Sequence, residues 1–500
     1  MNSYLNAMKT ASNYTHTENG AITHKTTESA LLDMFAMGGA MRKRSDSDVL
    51  LMFQKAFVEN PEYALKCLFY LRDVRGGQGE RRFFRIVVKD LARNHTEAMA
   101  RNMEHVPEYG RWDDLYVLVG TPLEKEMFAF MKEQLVLDVQ CKTPSLLAKW
   151  LKSENASSNE TRHYGELTRK AFGMTPKQYR KTLSILRSRI NIVEKLMSEN
   201  RWDEIEFDKI PSRAGLIYKN AFARRDIIKQ KYETFAKDTT TKVNAEVLNP
   251  VDIAERIFKT WKRPSDTDVA MFQKYWDNLK DYYNGREEPG IAVVDVSGSM
   301  HGQPMAAAVA MGAYIAERGK GPFANHFITF SAHPQLVEFE GTDIWDKFQR
   351  ARQADWGMNT NLEATFEMLL NIALQNKTPI EDMPKTLYIF SDMEFDEGVS
   401  DNSMSYDRWG YREEGELLDR EGINTLMEKV KKKWQAHGYQ MPRVIFWNLR
   451  SAQNNIPAIG EGFSYVSGFS MSMIEEILSG EDGYSLMMKK LNTERYAPIK

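Results

Sequence analysis

The chain has little of what marks secreted, disulfide-bonded or membrane proteins. Its two cysteines, Cys67 and Cys141, form no CxxC pair, which excludes a disulfide framework and a cysteine-based zinc site. No window approaches the roughly 20 apolar residues needed to span a bilayer. The polar N-terminus lacks the apolar core of a signal peptide. We therefore expect a soluble protein of a reducing compartment, located in the cytoplasm and without a membrane partner.

An excess of one charge sign is also missing, because 67 basic and 69 acidic side chains leave a net charge of −2. The whole-chain charge therefore says little about partners, and any charged surface must be local. A length of 500 residues exceeds the size at which one hydrophobic core keeps growing. The sequence thus predicts two or more domains.

Hydrophobic periodicity predicts a helical N-terminal part. Between about 28 and 240 apolar residues recur at helical spacing, and one such stripe consists of Phe83, Phe84, Val87, Val88 and Leu91. Successive helices with short connections predict a stacked α-helical array of the HEAT type. Residues 1–27, rich in Ser, Thr and Asn, are expected to form a flexible polar arm, and 241–289 a connecting helical segment.

The hydrophobic pattern of the sequence changes near Pro289-Gly290, where short apolar runs begin to alternate with helical stretches. Predicted strands occupy 291–295, 326–330, 386–391 and 443–449, and predicted helices 304–318, 362–375 and 424–436. Such alternation predicts a parallel sheet covered by helices. The fold class is therefore α plus α/β, with an open α/β domain over 290–490 and a tail over 491–500 that is either packed or flexible.

Oxygen-bearing side chains follow the predicted strands of this domain. In "IAVVDVSGSM" a buried strand leads into Asp295, Ser297 and Ser299, and Asp392 follows the strand of "TLYIFSDMEFD". Thr360 lies in a loop just before a helix. Ligands bind beyond the carboxyl ends of parallel strands, and oxygen ligands suit a hard cation, Mg²⁺ first and Mn²⁺ or Ca²⁺ next. Helix capping is the structural alternative.

A hydrolytic site is a weaker alternative. Asp295, Asp392, Glu394 and Asp396 could hold two metals for phosphodiester cleavage, with His301 as a base. Ligation by serine and the lack of a second carboxylate cluster argue against it. We expect a protein that is not an enzyme.

Basic residues concentrate in the helical part. Residues 161–190 carry eight basic side chains against the single acid Glu166. This excess of positive charge indicates either a binding site for a polyanion or a solvated helix face. The aromatic Tyr164, Phe172 and Tyr179 among them either stack on unpaired nucleotides or belong to the core. The candidate RNA-binding residues are Arg72, Arg75, Arg81, Arg82, Arg169, Lys170, Lys177, Arg180, Lys181, Arg187, Arg189, Arg213, Lys219, Arg224 and Arg225.

Two resemblances sharpen these predictions. DxSxS, a loop threonine and a later aspartate resemble the metal-ion-dependent adhesion site of von Willebrand factor A domains. This implies direct ligation by Ser297, Ser299 and Thr360, with Asp295 and Asp392 acting directly or through water. One departure is Met393, which stands where many such domains have glycine.

The helical part resembles the TROVE module of the Ro autoantigen family. The motifs that carry this resemblance are "LRDVRGGQGER" (71–81), "GRWDDL" (110–115) and "IPSRAGLIYKNAFARRD" (210–226). Two further motifs, "FSDMEFD" and "VIFWNL", resemble an uncharacterised branch of that family.

The resemblance implies a ring of HEAT-like helices closed by the A domain. It also implies a non-catalytic scaffold for small non-coding or misfolded RNA, with structured RNA on a basic outer face and single-stranded ends in the central hole. The metal site would hold the ring closed or bind an acidic protein ligand. The alternative is a metal-dependent protein–protein interaction module that does not bind RNA.

Overall fold

The computed structural model describes residues 12–190, 193–245, 247–330, 334–353, 361–396 and 425–500. The chain forms two compact units. The α/β unit comprises the chain up to Arg44 together with 253–261 and 281–490. The helical unit comprises 45–252, 262–280 and 491–500.

Helices dominate the described chain before residue 281. The elements there are β1 (Tyr14–His16), β2 (Ile22–His24), α1 (Ala30–Met37), α2 (Asp46–Glu59), α3 (Pro61–Arg72), α4 (Arg81–Asn94), α5 (Thr96–Asn102), α6 (Val106–Tyr109), α7 (Glu124–Gln140), α8 (Leu147–Trp150), α9 (Asn159–Phe172), α10 (Pro176–Arg189), α11 (Val193–Ser198), α12 (Ser212–Arg224), α13 (Asp226–Lys237), α14 (Pro250–Ile257) and α15 (Asp266–Asp277). The apolar stripe predicted for α4 is confirmed, because all five of its residues are buried. An N-terminal helical part is thus established.

Strands and helices alternate in the described chain after residue 281. The elements are β3 (Gly290–Asp295), α16 (Gln303–Arg318), β4 (His326–Phe330), β5 (Leu336–Glu338), α17 (Ile344–Gln353), α18 (Leu362–Asn376), β6 (Thr386–Ser391), α19 (Leu426–Ala436), β7 (Arg443–Asn448), β8 (Phe463–Ser467), α20 (Ile474–Ile477) and α21 (Gly483–Leu491). The four predicted strands are confirmed. The sequence missed β5, β8, α17, α20 and α21.

The strands after residue 289 form one six-stranded sheet in the order β5-β4-β3-β6-β7-β8. All neighbours pair in parallel except β4 and β5, which are antiparallel. The chain runs from β3 outward to β4, and later returns to the other side of β3 with β6. The strand order therefore reverses between β3 and β6, the place where open α/β sheets bind ligands.

The flexible arm predicted over 1–27 is wrong for its described part. β1 and β2 pair as an antiparallel hairpin, Tyr14 opposite His24. His24 and Ile456 exchange two backbone hydrogen bonds of 2.9 Å, and Thr23 and His24 are buried. The domain boundary at residue 28 shifts for the same reason: Ser467 of β8 donates to the carbonyl of Phe35 at 2.9 Å, which ties α1 to the α/β unit.

Among the described residues, no helix combines the length and the apolar composition that crossing a membrane requires.

Candidate metal centre and basic surface

The candidate metal centre lies where β3 and β6 end side by side. Asp295 is the last residue of β3, and Asp392 directly follows β6. Ser297 and Ser299 lie in the turn after β3, with their hydroxyl oxygens 3.0 Å apart. The structure thus brings four of the five predicted ligands to one edge of the sheet. The fifth, Thr360, lies outside the described residues.

Hydrogen bonds orient the Asp295 carboxylate within this turn. One oxygen accepts from the backbone N–H of Ser297 at 2.9 Å. The other accepts from the hydroxyl of Ser391 at 2.6 Å. Asp295 is fully buried, so these contacts replace the water that its charge would otherwise bind.

The Asp392 carboxylate is satisfied on one side only. Its Oδ1 accepts from the backbone N–H of Glu394 at 3.2 Å. Its Oδ2 is buried and has no hydrogen-bond partner in the described part of the chain. The guanidinium Nη1 of Arg450 lies 3.9 Å from Oδ2 and donates to the carbonyl of Ser299. The negative charge of this buried carboxylate is therefore offset only in part, by Arg450 and the Ser299 hydroxyl.

Burial raises the pKa of both carboxyl groups. For Asp295 the like charge of Asp392 raises it further, and for Asp392 the Ser299 hydroxyl and Arg450 act in the opposite direction. Two buried carboxylates with raised pKa values favour a countercharge, and two adjacent hydroxyls offer oxygen ligands. These residues therefore fit a hard divalent cation such as Mg²⁺.

Met393 adopts a backbone conformation that is uncommon for residues other than glycine. Its φ is +66°, in the left-handed region that glycine enters freely and methionine rarely. Its side chain is buried, and its backbone N–H donates to the Ser391 hydroxyl at 3.1 Å. Packing and this hydrogen bond hold methionine in a conformation that glycine would adopt more readily.

Glu394, a ligand in the hydrolytic alternative, faces the N-terminal hairpin. Its Oε2 accepts from the backbone N–H of Glu18 at 2.8 Å, and its carbonyl accepts from the Asn19 amide at 2.7 Å. Burial raises its pKa to about 7. In the described part of the chain, no three His, Cys, Asp or Glu side chains converge as a metal cluster. The carboxylate arrangement of a two-metal site is therefore absent from these residues.

Sequence reasoning missed two residues of this centre. The Ser391 hydroxyl donates a hydrogen bond to the Asp295 carboxylate. Arg450 comes soon after β7, and its backbone N–H donates to the Asn448 side chain at 3.1 Å. Both positions carried a usable signal, since each is the last residue of a buried parallel strand or comes soon after one. The carboxyl ends of such strands meet at one edge.

The prediction that Arg72 contacts RNA is wrong, because Arg72 is an internal residue. It is 1% exposed, and its guanidinium donates twice to Asp114 Oδ2, at 2.6 and 2.9 Å. Arg85 binds the other Asp114 oxygen at 2.6 Å. Asp73 likewise accepts from Arg495 and Tyr496 within the helical unit. The motifs 71–81 and 110–115 thus meet in a buried ion network.

Several other candidate residues serve the helical unit itself. Arg169 pairs with Glu154 at 2.6 Å, and Lys219 pairs with Asp268 at 2.8 Å. The aromatic alternative resolves to the core for two residues: Phe172 and Tyr179 are buried. These side chains hold the fold and are not free to contact phosphate or a base.

Arg187 clamps the segment that links α8 to α9. Its guanidinium donates to the carbonyls of Ala148 and Leu151 at 2.8 Å each and to the Ser153 hydroxyl at 3.0 Å. We expect Arg187→Ala to lower the free energy of unfolding by roughly 3 kcal/mol, since buried acceptors lose a charged donor. Urea unfolding checks this, with Lys181→Ala on the same helix expected within about 0.5 kcal/mol of wild type. An unchanged stability would contradict the structural role assigned to Arg187.

Helix α10 presents an exposed cationic face. Lys177, Arg180 and Lys181 lie at helical spacing on the side opposite the buried Tyr179 and Leu183. None of the three has an ionic partner among the described residues. The helix contains no acid, and Lys177 and Lys181 stand four residues apart, where like charges repel. Unpaired like charges concentrated on one face are the footprint of an anion-binding surface.

The remaining candidates are spread through the helical unit. Lys170 pairs with Glu166, Arg75 with Glu108, Arg82 with Asp46 and Arg213 with Asp252. Arg189 donates to two carbonyls. Arg81 and Arg224 are exposed, as is Arg225, whose guanidinium lies over the Trp202 ring. The structure therefore separates a few unpaired cations from a larger set with internal partners.

Two family models match the chain. One, described as a domain of unknown function (DUF2828), matches residues 17–171 and 144–284, and another, also a domain of unknown function (DUF7788), matches 289–495. The first covers more than half of the chain, which therefore belongs to the DUF2828 family.

Particular relatives can also be named. The uncharacterized protein L728 of Acanthamoeba polyphaga mimivirus is 31% identical over 519 aligned residues, which cover 94% of this chain and 85% of that protein. Among solved structures, the Ro (RSR) protein of Deinococcus radiodurans matches at 14% identity over 93% of this chain and 99% of its own, with a TM-score of 0.43.

Proposed function

We propose that this protein is a non-catalytic RNA-binding scaffold of the Ro type, which takes small non-coding or misfolded RNA on its helical unit. The observation that carries the proposal is the exposed face of α10, where Lys177, Arg180 and Lys181 have no ionic partner in the described chain. Phosphates would supply the missing negative charge without reading sequence. Such contacts make affinity depend steeply on salt.

We further propose that the α/β unit is a von Willebrand A domain that holds Mg²⁺, with Mn²⁺ or Ca²⁺ as substitutes. Ser297, Ser299 and Thr360 would ligate the ion directly, with Asp295 and Asp392 acting directly or through water. The orphaned Asp392 oxygen and the raised carboxyl pKa values support this. The bound ion would supply an open position for an acidic group.

The test of RNA binding is a variant that lacks the α10 cations. We expect Lys177→Ala/Arg180→Ala/Lys181→Ala to weaken binding of a labelled RNA hairpin with a single-stranded tail about 100-fold near physiological salt. The slope of log affinity against log salt should fall by about 2–3, because each lost phosphate contact removes nearly one released counterion. Fluorescence anisotropy at several salt concentrations measures both quantities.

The matched control loses the same charge elsewhere in the helical unit. Lys55, Lys89 and Lys125 are exposed on α2, α4 and α7, and their replacement by alanine should leave the salt slope close to that of wild type. Equal weakening in both triple variants would mean that the protein attracts RNA only through its general charge, and the α10 surface would lose its assigned role.

A second candidate function is a metal-dependent protein–protein interaction module without RNA binding. Arg450 favours it, because a cation beside the Asp392 oxygen adds positive potential to the place where an acidic ligand would meet the metal. RNA binding that is absent in wild type, together with Mg²⁺-dependent binding of an acidic peptide, would establish this candidate. The ring and the cytoplasmic location stay predictions.

A further inference from the structure

A cleft of about 680 Å³ opens in the helical unit between α11, the short turn at Trp202 and the C-terminal end of α12. Its size falls within the range of small-molecule sites. Its walls include Glu194, Trp202, Tyr218, Arg224 and Arg225. An aromatic ring, two cations and a carboxylate therefore face one cavity.

The aromatic wall is a cation–π pair. The guanidinium carbon of Arg225 lies 4.9 Å from the centroid of the Trp202 ring. The indole N–H of Trp202 donates to the Asn200 side chain at 2.9 Å, which fixes the ring. Trp202 is only 5% exposed, so the exposed Arg225 side chain forms the surface of this wall. Unpaired bases stack on such guanidinium planes.

The cations of the cleft lack carboxylate partners. No ion pair links Arg224 or Arg225 to an acid among the described residues. Two acids near Trp202 in the sequence, Glu199 and Glu204, form ion pairs with Arg201 instead. The Arg201–Glu199 distance is 2.9 Å. The positive charge at the end of α12 therefore stays uncompensated and suits a phosphate group.

A further wall of the cleft is already hydrogen-bonded within the protein. Glu194 Oε1 accepts from Lys149 Nζ at 3.5 Å. Burial, the Glu194 charge and a hydrogen bond with Glu194 raise the pKa of Tyr218. The two arginines are therefore the groups of this cleft that can bind a ligand.

We propose that this cleft binds a nucleoside monophosphate unit, free or as an unpaired nucleotide of bound RNA; the second form rests on the proposed function. The base stacks on Arg225, and the phosphate pairs with Arg224. A purine such as guanine fits best, because its two fused rings offer a larger stacking surface than the single ring of uracil.

The test is calorimetric titration of the full chain with GMP, UMP and a short single-stranded RNA containing one guanine. We expect GMP to bind saturably and more tightly than UMP. Arg224→Ala/Arg225→Ala should weaken GMP binding by about tenfold or more. Lys229→Ala/Lys237→Ala on α13 removes two exposed charges outside the cleft and serves as the matched control. Arg224→Ala alone leaves the stack on Trp202 intact and keeps the test valid if the double variant unfolds.

The outcomes separate the two sources and the two proposals. GMP binding that only the cleft variants weaken supports a free nucleotide. Binding of the guanine-containing RNA alone, weakened by the same variants, supports an RNA nucleotide. If neither ligand distinguishes the cleft variants from the α13 control, the cleft proposal is overturned, even where the α10 face still binds RNA. GMP binding retained in a protein that binds no RNA would contradict only the proposed function.

Discussion

Asp114→Ala is expected to lower the free energy of unfolding by about 3–5 kcal/mol, because it leaves a buried cation without its countercharge. Arg72 donates twice to Asp114 Oδ2 and is almost fully buried. The backbone N–H of Arg111 also donates to Asp114 at 3.0 Å. Urea unfolding followed by circular dichroism measures the loss.

An exposed acid of the same unit provides the control. Glu108 lies 3.8 Å from Arg75 and from Arg495, and its side chain is largely exposed. We expect Glu108→Ala to change stability by only about 0–1 kcal/mol. A loss for Asp114→Ala no larger than that for Glu108→Ala would contradict the buried network and return Arg72 to the candidates for ligand binding.

This network also explains why the short motifs of the helical unit are poor guides to RNA contacts. A Cβ at Gly110 would collide with the Asp114 carboxylate, and one at Gly77 with the carbonyl of Tyr70. The motif residues therefore close a tight turn around buried charges. Their role is to hold the helices, whereas the proposed phosphate contacts lie on α10.

Asp392→Asn is expected to abolish divalent-metal binding and to stabilise the metal-free protein. The change keeps the shape of the side chain but removes one of two buried negative charges. Burial disfavours the charged form of Asp392, so its loss should raise the melting temperature in EDTA at neutral pH. Affinity for Mn²⁺ should fall about 100-fold or more.

Two measurements check the expected loss of metal affinity and the expected gain in stability without metal. Mn²⁺ affinity is read by electron paramagnetic resonance, and melting temperature by calorimetry with EDTA or Mg²⁺. Wild type should gain about 2.7 kcal/mol at a Mg²⁺ concentration 100-fold above its dissociation constant, and Asp392→Asn should gain almost none. The control is Asp382→Asn, an exposed acid of the same unit. Unchanged Mn²⁺ affinity in Asp392→Asn would refute the metal centre.

Apolar runs predicted the central strands well, because β3, β6 and β7 are buried on both faces. β8 was not predicted because two of its five residues, Ser464 and Ser467, are serines and interrupt the apolar run. Both are buried, and their hydroxyl groups are hydrogen-bonded. β5 is three residues long and largely exposed, so it carries no hydrophobic signal. The N-terminal hairpin was missed for a similar reason, since backbone pairing and not apolar burial defines it.

The sequence located the acidic and hydroxyl groups of the candidate centre but not the state of the basic residues. Whether a cation is free depends on partners far along the chain, such as Asp268 for Lys219 or Ala148 for Arg187. Lys177 and Arg187 are both basic residues of one helix and cannot be told apart from the sequence. Arg187 donates hydrogen bonds to other parts of the helical unit, whereas Lys177 has no ionic partner among the described residues. Tertiary packing makes that difference.

The most direct test of the central claim is an anisotropy titration of the wild-type protein with single-stranded RNA whose structure does not depend on Mg²⁺. It would run at several salt concentrations, with Mg²⁺ and with EDTA. We predict binding that weakens steeply with salt and is unchanged by EDTA, because the cations of the helical unit need no metal. No binding above that of an unrelated acidic protein, or binding that EDTA abolishes, would contradict the account.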